Sequence, residues 1–303
     1  MPNAAKLLEL HKKFRRAVQV AAAMGIVNAL FKLSAVIMLI ITAVTILLKR
    51  VPAWLFIGWI VSLTGIVIPN IIVFIIKRTS FRSSGFLSTK TGKKVSEAMS
   101  KYGASYELIA ELERILADTS NVRHRMSIIH FIGDIYVYLG DFARAYSVLS
   151  PLDPTAMTEP DGYYMTMLEI YSETGDIQSA DRLLADCAPY IERSANHLDS
   201  YTGTCMSYQI YLIASGRFDE AFELLSALYF CRQDMGSADA GQNQTAGMIN
   251  YGLARCLYER GEFSKGFEHA AAAENQLNGI PYRCQLASEL KLKLAERIDK
   301  NAV

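Results

Sequence analysis

The sequence predicts an all-α protein: a transmembrane helical hairpin followed by an array of stacked helical pairs. Three observations predict it. Two uncharged apolar runs lie close together before residue 77. A short glycine-centred pattern recurs four times between residues 136 and 270. Charge also divides sharply. Residues 1–95 carry 14 Lys/Arg and one acid, Glu9, whereas the rest carries 17 Lys/Arg against 29 Asp/Glu. The 303-residue chain nets only +1, so the average conceals two parts suited to different neighbours.

Residues 1–32 read as a basic amphipathic helix. Leu7, Leu10, Phe14, Ala17, Val18 and Ala21 recur at three- and four-residue steps, and Lys6, Lys12, Lys13, Arg15 and Arg16 cover the other side. A helix lying on the anionic inner leaflet and a cytosolic extension of the first span both satisfy this pattern.

Residues 33–78 read as the two-helix transmembrane hairpin. Leu33–Leu48 and Val51–Ile76 contain no charge. The second run spans a ~30 Å hydrocarbon layer at about 1.5 Å per residue, and the first reaches that length if its helix begins near Gly25. Lysines and arginines crowd both outer flanks, while the connecting loop holds only Lys49 and Arg50. This asymmetry predicts a two-pass protein of the cell membrane with both termini in the cytoplasm. Gly58, Ser62 and Gly65 form a small-residue stripe on which the two helices can pack closely.

Residues 79–94, TSFRSSGFLSTKTGKK, read as a basic, flexible linker. Gly85 and Gly92-Lys93 only superficially evoke a phosphate-binding loop. The second glycine comes seven residues after the first, and Lys94 stands where Ser or Thr holds Mg²⁺. Attraction to anionic lipid suits this segment better.

Residues 95–303 carry the recurrent pattern. LGDFARA (139–145), TGDIQSA (174–180), SGRFDEA (215–221) and RGEFSKG (260–266) align on their glycines, which lie 35, 41 and 45 residues apart. Tyr136, Tyr171, Leu212 and Leu257 precede the glycine by four. Ala145, Ala180, Ala221 and Gly266 follow by five, and Leu149, Leu184, Leu225 and Ala270 by nine. Each slot has a physical task. Glycine ends one helix in the left-handed conformation, and Asp141 and Asp176 cap the next. The small residue sits where the two helices cross, and the leucine buries the following turn. Val95–Tyr102 and Ser105–Ala117 form a leading pair, Ser237–Thr245 a loop-like insertion, and Cys284–Ile298 a solvated last helix with Leu286, Leu290, Leu292 and Leu294 partly packed.

On these residues the chain resembles a tetratricopeptide-repeat (TPR) protein over roughly residues 120–275. Ile132, Gly133, Tyr136, Gly140, Ala145, Leu149 and Pro154 occupy slots of that pattern, while Leu168, Gln209 and Ala254 replace the small residue at the slot of Gly133. The resemblance implies a TPR-like α-solenoid whose first helices line a concave, partner-binding face.

Nothing in the sequence signals catalysis, a cofactor or a metal. The five histidines form no ligand pair at helical spacing, and the five cysteines form no C-x-x-C. An enzyme is not expected. Sixteen tyrosines stand out, many on first helices. Tyr138, Tyr164 and Tyr208 are the candidates for a partner groove, with Gln209, Asn250 and Arg255 adding hydrogen bonds. The expected function is a membrane-anchored adaptor or scaffold that binds a protein or peptide at the cytoplasmic face. The acidic domain favours a basic partner, the N-terminal basic segments favour anionic lipid, and no nucleic acid is expected. The alternative is a regulatory or assembly subunit of an integral membrane complex, bound through the hairpin.

Overall fold

A computed structural model describes residues 1–47, 54–80, 86–157, 160–235 and 240–301. They form thirteen α-helices, with no strand among the described residues. The chain divides into two units, one of residues 9–82 and the other of residues 1–8 with 83–303. The expected all-α class is observed. Lys49, Arg50 and most of the linker's first half lie outside the described residues.

In the first unit, α1 (Ala4–Leu47) and α2 (Trp54–Ser80) are long and apolar enough to cross a membrane. Only 6% and 11% of their most apolar windows are buried, which is not the condition of core helices. α1 runs unbroken through the boundary expected near residues 32–33. No proline interrupts it, and Gly25 leaves open space. The two helices touch through small and polar residues. A Cβ on Gly58 would lie 2.3 Å from Met38, and one on Gly65 would lie 2.2 Å from Phe31. Ser62 and Ser34 hydroxyls are hydrogen-bonded at 3.0 Å, and Trp59 Nε1 donates to Thr42 at 3.1 Å. Pro69 stands inside α2, where Asn70 Nδ2 donates to the Ile66 carbonyl at 2.8 Å.

The second unit begins with α3 (Lys90–Tyr102) and α4 (Tyr106–Ala117). The helix therefore starts inside the segment read as linker. Thr89 caps it, accepting from the Gly92 amide at 3.0 Å. Gly92 is required by proximity rather than flexibility, since a Cβ there would meet the Phe86 carbonyl oxygen at 2.1 Å.

Four helical pairs follow: α5 (Val122–Tyr138) with α6 (Phe142–Leu149), α7 (Pro160–Glu173) with α8 (Ile177–Ser194), α9 (Leu198–Ala214) with α10 (Phe218–Met235), and α11 (Ala240–Glu259) with α12 (Phe263–Gln276). Their turn glycines, Gly140, Gly175, Gly216 and Gly261, share φ between 75° and 77°. An L side chain resists that region, which explains why glycine recurs. Asp141 and Asp176 accept from the Arg144 and Ser179 amides at 3.2 and 3.1 Å. Glu262 makes no such cap. Ala145, Ala180 and Ala221 are fully buried, as are Leu149 and Leu225. Gly133 exists for Leu149, whose side chain would lie 2.6 Å from an added Cβ. α11 starts at Ala240, so the insertion expected to run to Thr245 is helical in its second half.

The first helices form an inner row: α5 touches α7, α7 touches α9, and α9 touches α11. α13 (Pro281–Asn301) packs on α12 and α11 and also reaches α5. Of the leucines expected to pack over 284–298, Leu286, Leu290 and Leu294 do so, whereas Leu292 is exposed. Ala287 and Leu294 are fully buried, and the Tyr282 ring lies edge-on to Phe142 at 5.5 Å. The chain's first residues also join this unit. Asn3 donates its amide to the Tyr201 hydroxyl at 3.0 Å, and Leu7 is fully buried.

Candidate functional site

The inner row encloses a cavity of about 310 Å³. Tyr138 comes from the last turn of α5 and Glu169 from α7. Gly203, Met206, Ser207 and Ile210 come from α9, and Gln244, Thr245 and Met248 from α11. Ile280, just before α13, and Arg283, in its first turn, complete the lining. One wall is apolar, through two methionines and two isoleucines. Glu169 and Arg283 bring charge to the lining.

Arg283 anchors that charge. It is 2% exposed, and its Nη1 donates to Glu173 Oε1 at 2.5 Å while Nη2 donates to Glu169 Oε1. Glu169 and Glu173 are four apart, so both project from one face of α7. Burial works against the Arg283 charge, but the two carboxylates outweigh it and hold its pKa above the ordinary value. Burial pushes the Glu169 pKa up, and Arg283 restrains that rise.

A second stripe of polar groups descends α5 at four-residue steps: His130, Asp134 and Tyr138. Thr166 Oγ1 donates to Asp134 Oδ1 at 2.6 Å. The 3.1 Å contact between His130 Nε2 and Thr166 Oγ1 then has the imidazole as donor, because the hydroxyl proton is already engaged. Burial raises the Asp134 pKa, with His130 and Thr166 opposing. Enclosure by the helices, then the Asp134 and Glu169 charges, pushes the Tyr138 phenol well above its usual range. Tyr138 nonetheless keeps 39% of its surface exposed, so its ring stays available at the cavity. Two carboxylates, Glu169 and Glu173, thus share one guanidinium, and the wall favours a cation or a hydrogen-bond donor.

The sequence-predicted residues do not converge on one place. Tyr138 lines the cavity. Tyr164 is buried, its ring 4.8 Å from Tyr190 and 5.6 Å from Tyr163. Tyr208 is buried and stacked on Tyr211 at 5.5 Å. Gln209 is 2% exposed, with Oε1 lacking a hydrogen bond and set against Gly252. Asn250 is buried between Gln276 and His269. Arg255 lies over the Tyr251 ring at 5.9 Å. Gly58, Ser62 and Gly65 all face α1 inside the hairpin. Sequence reasoning missed Asp134, Glu169, Glu173 and Arg283. The available signal was acids at four-residue spacing on first helices, where apolar contacts dominate.

Among the described residues, no group of three or more His, Cys, Asp or Glu side chains is arranged to hold a metal ion. No family model, curated protein or solved structure matches the chain.

Proposed function

We propose that this chain is a two-pass membrane protein whose TPR-like helical unit binds a protein or peptide partner at the cytoplasmic face. The observation that carries the reading is the cavity where Tyr138, Glu169, Gly203, Ser207 and Met206 from successive first helices meet. Such a setting offers a partner segment apolar contact through methionine and isoleucine, and electrostatic recognition through Glu169. The excess of acids beyond residue 95 adds long-range attraction for a basic segment. The exposed apolar faces of α1 and α2 support anchoring, and the basic residues flanking them support cytoplasmic termini and contact with anionic lipid.

The alternative reading, a subunit held to an integral complex through the hairpin, drew on Gly58, Ser62 and Gly65. Those residues are occupied by Met38, Ser34 and Phe31 of α1, which weakens that support. The test uses Gly203, where an added Cβ meets nothing within 4 Å. Gly203→Phe fills the cavity from a helical position without forcing the backbone. Affinity capture from native membranes should recover a salt-sensitive partner with the wild-type chain and lose it with Gly203→Phe at unchanged Tm. Equal recovery by both proteins would overturn the reading.

A further inference from the structure

A second recess, of about 680 Å³, opens between α10, α11 and α12 and shares no lining residue with the inner cavity. Asn250 is its buried anchor, 4% exposed. The carboxamide is held at both ends: Nδ2 donates to Gln276 Oε1 at 2.8 Å, and Oδ1 lies 2.8 Å from His269 Nδ1. An amide oxygen only accepts, so His269 carries a proton on Nδ1. Burial lowers the His269 pKa, which keeps the ring neutral and leaves Nε2 as an acceptor. Gln276, with Oε1 engaged, retains both Nε2 hydrogens as donors.

Arg232 lines the same recess. Burial lowers its pKa, and no described carboxylate offsets the loss. A guanidinium drawn partly out of water without a counter-charge carries a standing cost, which an incoming carboxylate removes through two parallel hydrogen bonds. Glu268 lines the recess too, exposed, and supplies the opposite charge. The two signs in one recess call for a ligand that carries both.

We propose that this recess binds a small amino-carboxylate, with Arg232 and Gln276 Nε2 receiving the carboxylate and Glu268 the ammonium. A di- or tripeptide and a free amino acid share that chemistry, and the volume favours the peptide. This site is independent of the inner cavity and of any partner bound there.

The test is a thermal-shift titration of the full chain in detergent. The probes are a mixture of free-acid tripeptides, the same mixture as C-terminal amides, and a mixture of free amino acids, each up to about 10 mM. The free-acid tripeptides should raise Tm, and the amides should require at least roughly tenfold higher concentration. Arg232→Gln should weaken the response by at least roughly tenfold without lowering the ligand-free Tm, and Gly203→Phe should not alter it. A response to amino acids alone would assign the site to that source. No response to either free-acid mixture, equal response to acids and amides, or an undiminished response in Arg232→Gln would overturn the proposal.

Discussion

Replacing Arg283 with methionine removes the guanidinium while retaining much of the side-chain bulk. Glu169 and Glu173, whose side chains are 14% and 12% exposed, are then left without their shared cation. Breaking a buried pair from one side costs about 3–5 kcal/mol. For a unit of this size, each kcal/mol moves Tm by roughly 2–4 °C, so Arg283→Met should melt roughly 6–20 °C below the wild-type chain at pH 8. The pH dependence follows from Glu169. Burial already raises its folded pKa, and losing Arg283 raises it further. A carboxyl with a raised folded pKa binds more protons folded than unfolded, so its penalty grows as pH rises and fades as pH falls. The deficit should therefore shrink between pH 8 and pH 5.5. Arg283→Met with Glu169→Gln and Glu173→Gln should regain most of the loss, because no buried charge remains. Thermal unfolding of the detergent-solubilised full chain, followed by circular dichroism, measures all three. An Arg283→Met Tm within about 2 °C of wild type, or a deficit unchanged across that pH range, would refute the reasoning.

Other consequences follow from the turns, the hairpin and the thiols. Gly175→Ala faces open space at φ 76° and should cost only about 1 kcal/mol in urea unfolding, whereas Gly140→Ala also drives a Cβ to 2.6 Å from the Tyr282 ring and should cost roughly 2 kcal/mol or more. Ser34→Cys with Ser62→Cys, in a background lacking the native cysteines, should form a disulfide on mild oxidation. Ile37→Cys with Ser62→Cys should not, as read on non-reducing gels, because Ile37 faces outward. Burial pushes the Cys187 thiol up to about 11 and those of Cys205 and Cys256 up to about 12, so at pH 8 they should react with a thiol reagent only on unfolding, and half-buried Cys284 should react first.

The turns were legible in the sequence because their chemistry is local. A left-handed residue demands glycine, a close crossing demands alanine or glycine, and a free helix start attracts Asp141 or Asp176. Other features were obscured for physical reasons. Thr89 caps α3 from within a Ser/Thr/Gly-rich stretch that reads equally well as a connector. α13 reaches α7 through Arg283 meeting acids 110 and 114 residues away, and such pairing leaves no periodic trace. The tyrosines do not mark the groove because first helices bury more than one face. On α9, Tyr201, Cys205, Tyr208, Gln209, Tyr211 and Leu212 are all buried, so helical spacing could not isolate the narrow strip formed by Gly203, Met206, Ser207 and Ile210.

Site-specific photo-crosslinking in intact cells tests most directly whether a partner engages the inner cavity. A photoreactive phenylalanine analogue at Tyr138 or Met206 should give one common adduct, absent from the outward-facing, 44% exposed Tyr146 and abolished by Glu169→Gln. Adducts formed at Tyr146 but not at Tyr138 or Met206 would contradict the account.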